Sequence, residues 1–104
     1  MKKMNLYDSA GFSEPTHKSL LVHDSPYFKI INFNFKPGQG LPIHSHEVEG
    51  QLSILVLEGE GEFLGKDGVL PARAGDVLIS DIAEPHGVKA IKDMRVVVTI
   101  APPI

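Results

Sequence analysis

Residues 38–59 of the chain, GQGLPIHSHEVEGQLSILVLEG, carry the pattern from which the fold can be predicted. Two histidines, His44 and His46, stand two residues apart, between a glycine-rich break and an apolar run. That run, Leu52 to Leu57, has the length of a strand buried on both faces and is short for a helix. The segment therefore predicts a short strand with two histidines, a polar turn and a buried strand.

The rest of the chain is divided into short runs by turn-forming residues. Its 104 residues include 10 glycines and 8 prolines, which leave almost no place for a long helix. Residues 66–68, Lys-Asp-Gly, contain the Asp-Gly pair that is typical of a hairpin turn. We expect eight to ten short strands and an all-β sandwich or barrel.

Residues 27–36 show the period-two alternation of a strand, because phenylalanines at 33 and 35 alternate with asparagines at 32 and 34. Four aromatic residues of this region are predicted to pack in the core, with one or two at the mouth of a pocket. They are Tyr27, Phe28, Phe33 and Phe35.

Composition limits the classes of protein to which the chain can belong. The formal net charge of −3 argues against a nucleic-acid surface, which needs an excess of Lys and Arg. The absence of cysteine excludes disulfides, thiolate metal sites and cysteine nucleophiles. No apolar run approaches the ~20 residues of a membrane span. We expect one cytoplasmic domain, residues 1–104, in which residues 1–18 form an N-terminal arm or an edge strand.

Three of the five histidines have positions that suit a metal site. Because side chains alternate along a strand, His44 and His46 emerge from the same face of the strand predicted for them. His86 follows 40 residues later, at the start of another predicted strand. Three neutral imidazoles can bind Zn, Fe, Ni, Mn or Cu and leave coordination positions open. The alternative is that His44 and His46 are polar residues of a solvent-facing strand.

The histidines also keep a regular spacing from glycines in two segments, 38–59 and 75–90. The first segment reads Gly, five residues, His, one residue, His, and it ends in Gly. The second begins with Gly75, and His86 follows after ten residues. In this order and spacing, the segments resemble the two signature motifs of the cupin superfamily. The chain is similar to small single-domain members, over about half of its length.

The resemblance implies an all-β jelly-roll barrel, the double-stranded β-helix, with little or no helix and a pocket between two sheets. It also implies that His44, His46 and His86 bind a divalent transition metal, with Fe, Mn, Ni and Zn as the candidates. The apolar run Val96–Val98 looks buried on both faces. In this family such burial often comes from a second subunit, so a homodimer is expected.

The chain departs from the family at the expected carboxylate ligand. Counting forward from His46 puts Gln51 where the family has Glu, whereas counting back from Gly59 puts Leu52 there. An inward Gln51 could ligate weakly through its amide oxygen, and we include it in the predicted metal site. The alternatives are a ligand from the adjacent turn, Glu47 or Glu49, and no fourth protein ligand.

These features predict a small metal-binding cupin whose barrel pocket takes a small organic ligand or substrate. As an enzyme it would be of the metal-dependent dioxygenase or isomerase type, although no residue stands out as a general base. The alternative is a non-catalytic module that senses a small molecule or a metal. In a third hypothesis the site holds no metal, and the three histidines hydrogen-bond to an organic ligand.

Overall fold

The computed structural model describes all 104 residues and contains nine β-strands and one four-residue helix, which agrees with the eight to ten strands predicted. The elements are α1 Leu6–Ser9, β1 Lys18–Asp24, β2 Lys29–Phe35, β3 Gly40–His44, β4 Gln51–Glu58, β5 Glu60–Gly65, β6 Gly68–Arg73, β7 Val77–Asp81, β8 His86–Ala90 and β9 Met94–Ala101. None of these elements is a helix with the length and apolar character needed to cross a membrane.

The strands form two antiparallel sheets that face each other. One sheet has five strands in the order β1-β2-β9-β4-β7, and the other has four in the order β3-β8-β5-β6. Because β9 lies between β2 and β4, strands that are distant in sequence pair side by side. This is the jelly-roll arrangement of a double-stranded β-helix, so the predicted fold class is confirmed.

The core fills the space between the inward faces of the sheets. Buried apolar residues alternate along β4 and β9, as expected of strands with one face in a core. The outward residues of β4, Ser53, Leu55 and Leu57, are half-buried, so the prediction of burial on both faces is only partly right. Twelve residues make up the core: Phe35, Leu52, Ile54, Val56, Phe63, Ala72, Ile82, Val88, Ala90, Met94, Val96 and Val98.

The glycines of the two sequence motifs lie at turns that require them. Gly38, Gly59 and Gly75 have φ angles of +87°, +91° and +94°, a region that other residues rarely adopt. At Gly59 there is also no room for a side chain, because a Cβ would lie 2.0 Å from the carbonyl oxygen of Asp93. The turn between β4 and β5 can therefore lie close to the turn between β8 and β9.

Two of the four aromatic residues assigned to the core lie outside it. Phe35 is fully buried, and Phe33 is half-buried against the core. Tyr27 is 81% exposed, and Phe28 is also exposed, so their predicted core positions are wrong. Both residues belong to the turn between β1 and β2, where the alternation of a strand no longer directs side chains inward.

The outward face of β2 is covered by the N-terminal arm, residues 1–17. Asn32 and Asn34, on that face, are fully buried. The Asn32 amide donates to Asn34 Oδ1 and to the Val96 carbonyl, each at 3.0 Å, and Asn34 donates to the Gly11 carbonyl at 2.7 Å. Asn34 therefore fastens the arm to β2, because its buried amide binds the arm's backbone at Gly11.

Arg95, on the outward face of β9, is the main anchor of the arm. Its side chain is buried, and its guanidinium donates to the carbonyl oxygens of Leu6 and Ala10 at 3.1 and 3.0 Å. Its Nε also donates to Glu58 Oε1 at 3.0 Å, and its Cζ lies 4.6 Å from the centre of the Tyr7 ring. A cation without solvent access is thus compensated by carbonyl oxygens, a carboxylate and an aromatic face.

We expect Arg95→Met to lower the free energy of unfolding by about 2–3 kcal/mol, because a neutral side chain of similar length leaves buried carbonyls without donors. The matched control is Lys92→Met, since Lys92 and Glu60 form an exposed ion pair at 3.5 Å. Its loss is expected to cost less than about 1 kcal/mol. Urea unfolding measures both, and equal losses would contradict the anchoring role of Arg95.

Candidate functional site

The pairing of β3 with β8 brings two of the predicted histidines together. His44, the last residue of β3, lies directly opposite His86, the first residue of β8. Their ring centres are 4.5 Å apart. His86 is 5% exposed, whereas His44 is exposed. A register irregularity between Leu41 and His44 precedes this pair, and such bulges often redirect side chains near sites.

His46 reaches the same place from a loop. It lies two residues beyond the end of β3, so the expectation that His44 and His46 share a strand is wrong. The loop is held by its backbone instead, because the His46 N–H donates to the Ile82 carbonyl at 3.1 Å. The ring centre of His46 is 5.6 Å from that of His44. The three predicted histidines therefore form one cluster.

Backbone carbonyls orient two of these rings. Nδ1 of His44 is 2.7 Å from the Pro42 carbonyl, and Nδ1 of His86 is 2.7 Å from the Glu84 carbonyl. Because a carbonyl oxygen only accepts, each Nδ1 carries the proton, and Nε2 of the neutral ring keeps its lone pair. This is the tautomer that a histidine needs to bind a metal, or a ligand donor, through Nε2.

Burial lowers the pKa of the His86 imidazole below its ordinary value of 6.5. The bond to the Glu84 carbonyl opposes this shift, and the positive charges that His44 and His46 can acquire add to it. The buried ring of the cluster is therefore neutral at pH 7, which is the form that binds metals.

The cluster lies at one end of an otherwise apolar cavity of about 340 Å³. The cavity lies between the sheets, and apolar residues of β2, β4 and β9 form much of its wall. Apart from the three histidines, its lining contains no titratable side chain. The lining residues are Ile31, Phe33, Leu41, His44, His46, Leu52, Ile54, His86, Gly87, Val98, Ile100 and Ile104.

A larger, open cleft of about 710 Å³ lies beside the β5–β6 hairpin and β7. His86 is the one member of the histidine cluster that lines it. Its other polar lining residues include Lys66 and Asp67, which lie in the exposed hairpin turn. Size alone would favour this cleft, but the three imidazoles converge on the smaller cavity, and we assign the candidate site there.

The structure does not bring Gln51 into the cluster. Gln51 begins β4 with its side chain on the outward, exposed face, where its amide donates to Asp81 Oδ1 at 3.1 Å. Leu52, the next residue, points inward and lines the cavity. Glu47 and Glu49 are exposed in the loop after His46 and do not line the cavity. Of the arrangements considered from the sequence, the one with Leu52 inward is observed.

The side chains as they stand do not form a finished metal centre, since no group of three His, Asp or Glu residues is positioned to hold an ion. The donor chemistry nevertheless fits a divalent transition metal, because neutral imidazoles are the ligands that such ions share. The His44 ring already lies beside His86, and the exposed His46 ring can turn toward them without disturbing the core.

The apolar wall of the cavity was the part of the site that the sequence motifs did not predict. Ile31 on β2 and the pair Val98 and Ile100 on β9 line it. Phe33 also lines it, whereas the sequence predicts Phe33 as one of four core aromatic residues, one or two of them at the mouth of a pocket. The period-two pattern of β2 and β9 could have identified these wall residues, since the inward positions of both strands point between the sheets.

A family profile described as a cupin domain matches residues 32–101, which include β3, β4, β8 and all three clustered histidines. The chain belongs to the cupin family. A protein from Thermotoga maritima named oxalate-binding protein is 36% identical over 88 residues, 82% of this cupin and 70% of the relative.

Two solved structures show how far the architecture is shared. An RmlC-like cupin protein from Desulfovibrio desulfuricans is 55% identical, with a TM-score of 0.94 over 100% of this cupin and 99% of that chain. A protein with a double-stranded β-helix domain from Klebsiella pneumoniae is 23% identical, with a TM-score of 0.87. The comparison covers 98% of this cupin and 90% of the Klebsiella chain. At that identity the likeness concerns the fold alone.

The lowered pKa of His86 predicts a pH dependence of stability in the metal-free protein. At a pH between the lowered pKa of folded His86 and its ordinary value of 6.5, the unfolded chain binds more protons at this position than the folded chain does. Lowering the pH through the ordinary value of 6.5 therefore favours unfolding, and this effect ends below the folded pKa, where both states are protonated.

In His86→Asn, whose side-chain amide can still donate to the Glu84 carbonyl, this contribution is absent. We expect the free energy of unfolding of the variant to fall less than that of the native protein between about pH 7.5 and about pH 5. Urea unfolding in the presence of a chelator measures the difference. An identical pH dependence in both proteins would contradict a buried, neutral His86.

Proposed function

We propose that this cupin binds a divalent transition metal through His44, His46 and His86 and binds a small organic ligand in the adjoining cavity. The observation that carries the proposal is the convergence of three imidazoles from β3, a loop and β8 at one end of an apolar cavity. Fe, Mn, Ni and Zn all accept such ligands. Gln51 is left out of the proposed ligand set because its side chain is on the opposite face of β4.

The chain's own residues prepare the site in two ways. The Pro42 and Glu84 carbonyls fix the tautomer of two rings, so that Nε2 of each can donate its lone pair. Burial keeps His86 neutral, so no proton has to leave it at pH 7 before it binds. A bound divalent metal would supply positive charge and open coordination positions for an oxygen atom of the ligand.

The comparison with the Thermotoga relative supports a small-molecule ligand, since that protein is named for binding oxalate. The cavity supports the same class, because its volume of about 340 Å³ is at the lower end of the range for ligand pockets. A binding function therefore requires no side chain beyond those that line the cavity.

Of the two catalytic types expected from the sequence, the dioxygenase and the isomerase, the isomerase has less support than a binding function. Isomerisation needs a group that accepts and returns a proton close to the substrate. In this cavity the three imidazoles are the titratable side chains, and the proposal already uses them as ligands. We therefore propose binding as the function and keep catalysis as the alternative.

The test is the metal content of protein purified without a histidine tag, measured by elemental analysis before and after addition of Zn²⁺, Mn²⁺, Ni²⁺ or Fe²⁺. We expect about one ion per chain in the native protein. His44→Ala and His86→Asn are each expected to lower the occupancy at least about tenfold, because two imidazoles hold such ions weakly. Circular dichroism checks that each variant is folded.

The matched control is His23→Ala, which removes an imidazole that packs on Phe28, 4.7 Å between ring centres, outside the cavity. Its metal content is expected to equal that of the native protein. Native protein that holds no metal and takes up none would contradict the metal site. Binding of an organic ligand by that metal-free protein would then favour the alternative in which the histidines hydrogen-bond to the ligand directly.

A homodimer, expected from the Val96–Val98 segment, stays a prediction, and we propose the outward face of the five-stranded sheet as the contact. Val97 and Leu55 lie side by side on that face, next to Val77 and Ile79, which are 56% and 62% exposed. Light scattering should give twice the 11.3 kDa of one chain.

For the same measurement, Ile79→Lys is expected to yield monomers, because it places a charge in the apolar contact. Ile91→Lys, at a similarly exposed position in the turn between β8 and β9, is the control and should leave the dimer intact. A native monomer at tens of micromolar would contradict the prediction, and so would equal effects of the two variants.

A further inference from the structure

With leucine at position 52, the candidate site has no acidic side chain beside its histidines. Leu52 lies on the inward face of β4, is 5% exposed, and lines the same cavity as the three histidines. No carboxylate side chain lines that cavity. The acidic residues nearest in sequence, Glu47 and Glu49, are exposed, and Asp81 is paired with Gln51 on the outward face.

A divalent ion held by three neutral imidazoles would keep its full charge of +2. A charge next to apolar walls is costly unless an opposite charge accompanies it. Since no side chain of the cavity lining is an anion, and the backbone oxygen of Ile104 is already bonded to Lys29 Nζ, the ligand is the remaining source of one. A carboxylate is the common small-molecule group that carries one negative charge at pH 7 and coordinates such ions through oxygen.

The walls restrict the rest of the ligand. Beyond the histidines, every lining residue is apolar or glycine, including Ile31, Phe33, Ile54 and Val98. A second carboxylate at the far end of the ligand, out of reach of the metal, would lie among these side chains without a cationic or hydrogen-bonding side chain to pair with, which is unfavourable. An apolar body, in contrast, gains free energy from burial against them.

We infer that this cavity selects a small monocarboxylate with an apolar body, and that Leu52 is the residue that sets this selectivity. The inference rests on the proposed metal site, and it adds the class of ligand. A glutamate at position 52 would place a resident anion beside the histidines. That anion would compensate the metal itself and remove the advantage of an anionic ligand.

The experiment uses full-length protein loaded with Zn²⁺ and three probes of the same carbon chain length, butanoate, butanamide and succinate. Isothermal titration calorimetry measures their binding, and elemental analysis measures the metal. We expect the native protein to bind butanoate at least about tenfold more tightly than either butanamide, which lacks the charge, or succinate, which has two charges.

The variants Leu52→Glu and Leu52→Gln separate charge from shape, because their side chains have nearly the same size. In Leu52→Glu, butanoate affinity is expected to fall at least about tenfold while Zn²⁺ binds as tightly as in the native protein or more tightly. In Leu52→Gln, the preference for butanoate over butanamide should persist. If Leu52→Glu does not fold, the probe comparison on the native protein and on Leu52→Gln still tests the inference.

The outcomes distinguish this inference from the proposal on which it rests. A native protein that binds no Zn²⁺ would overturn the metal site and the inference together. A native protein that binds Zn²⁺ but takes up butanamide or succinate as well as butanoate, or binds none of the three, would overturn the inference and leave the metal site standing. An unchanged butanoate affinity in a folded Leu52→Glu would remove the role of Leu52.

Discussion

The pairing of β9 between β2 and β4 is the constraint on which the rest of this structure depends. It brings the last strand of the chain into the middle of the larger sheet, so that residues on both faces of this strand make contacts. Its inward residues, Val96 and Val98 among them, build the core and the cavity wall, whereas its outward Arg95 anchors the N-terminal arm. Core, cavity and arm therefore depend on one strand being hydrogen-bonded along both edges.

Much of the fold could be predicted because local chemistry determines it. Gly59 and Gly75 mark turns that only glycine readily makes, and the resemblance of the two segments to the cupin motifs implied the barrel. The burial of Asn34 could not be predicted in the same way. An asparagine in a strand usually faces water, but Asn34 is buried and bonded to Gly11 of an arm that Arg95, far away in sequence, also holds.

The candidate site shows the same division between local and non-local information. The three histidines were predicted and do meet, but through a cross-strand pair and a loop rather than along one strand. At positions 51 and 52 the motif counts disagreed by one residue, and a shift of one residue moves a side chain to the opposite face of a sheet. Only the observed register of β4 against β7 and β9 determines that Leu52 faces the cavity.

The loop that carries His46 has a further consequence through Ile82. The His46 N–H donates to the Ile82 carbonyl, and the Ile82 N–H donates to the Gly50 carbonyl, at 3.1 and 3.0 Å. These two bonds join the His46 loop to the segment that leads into His86, and the fully buried Ile82 side chain fastens both to the core. The backbone segments that carry His46 and His86, 40 residues apart, are thus connected through Ile82. The backbone of the candidate site is therefore preorganised, and a ligand bound there would lose little backbone entropy.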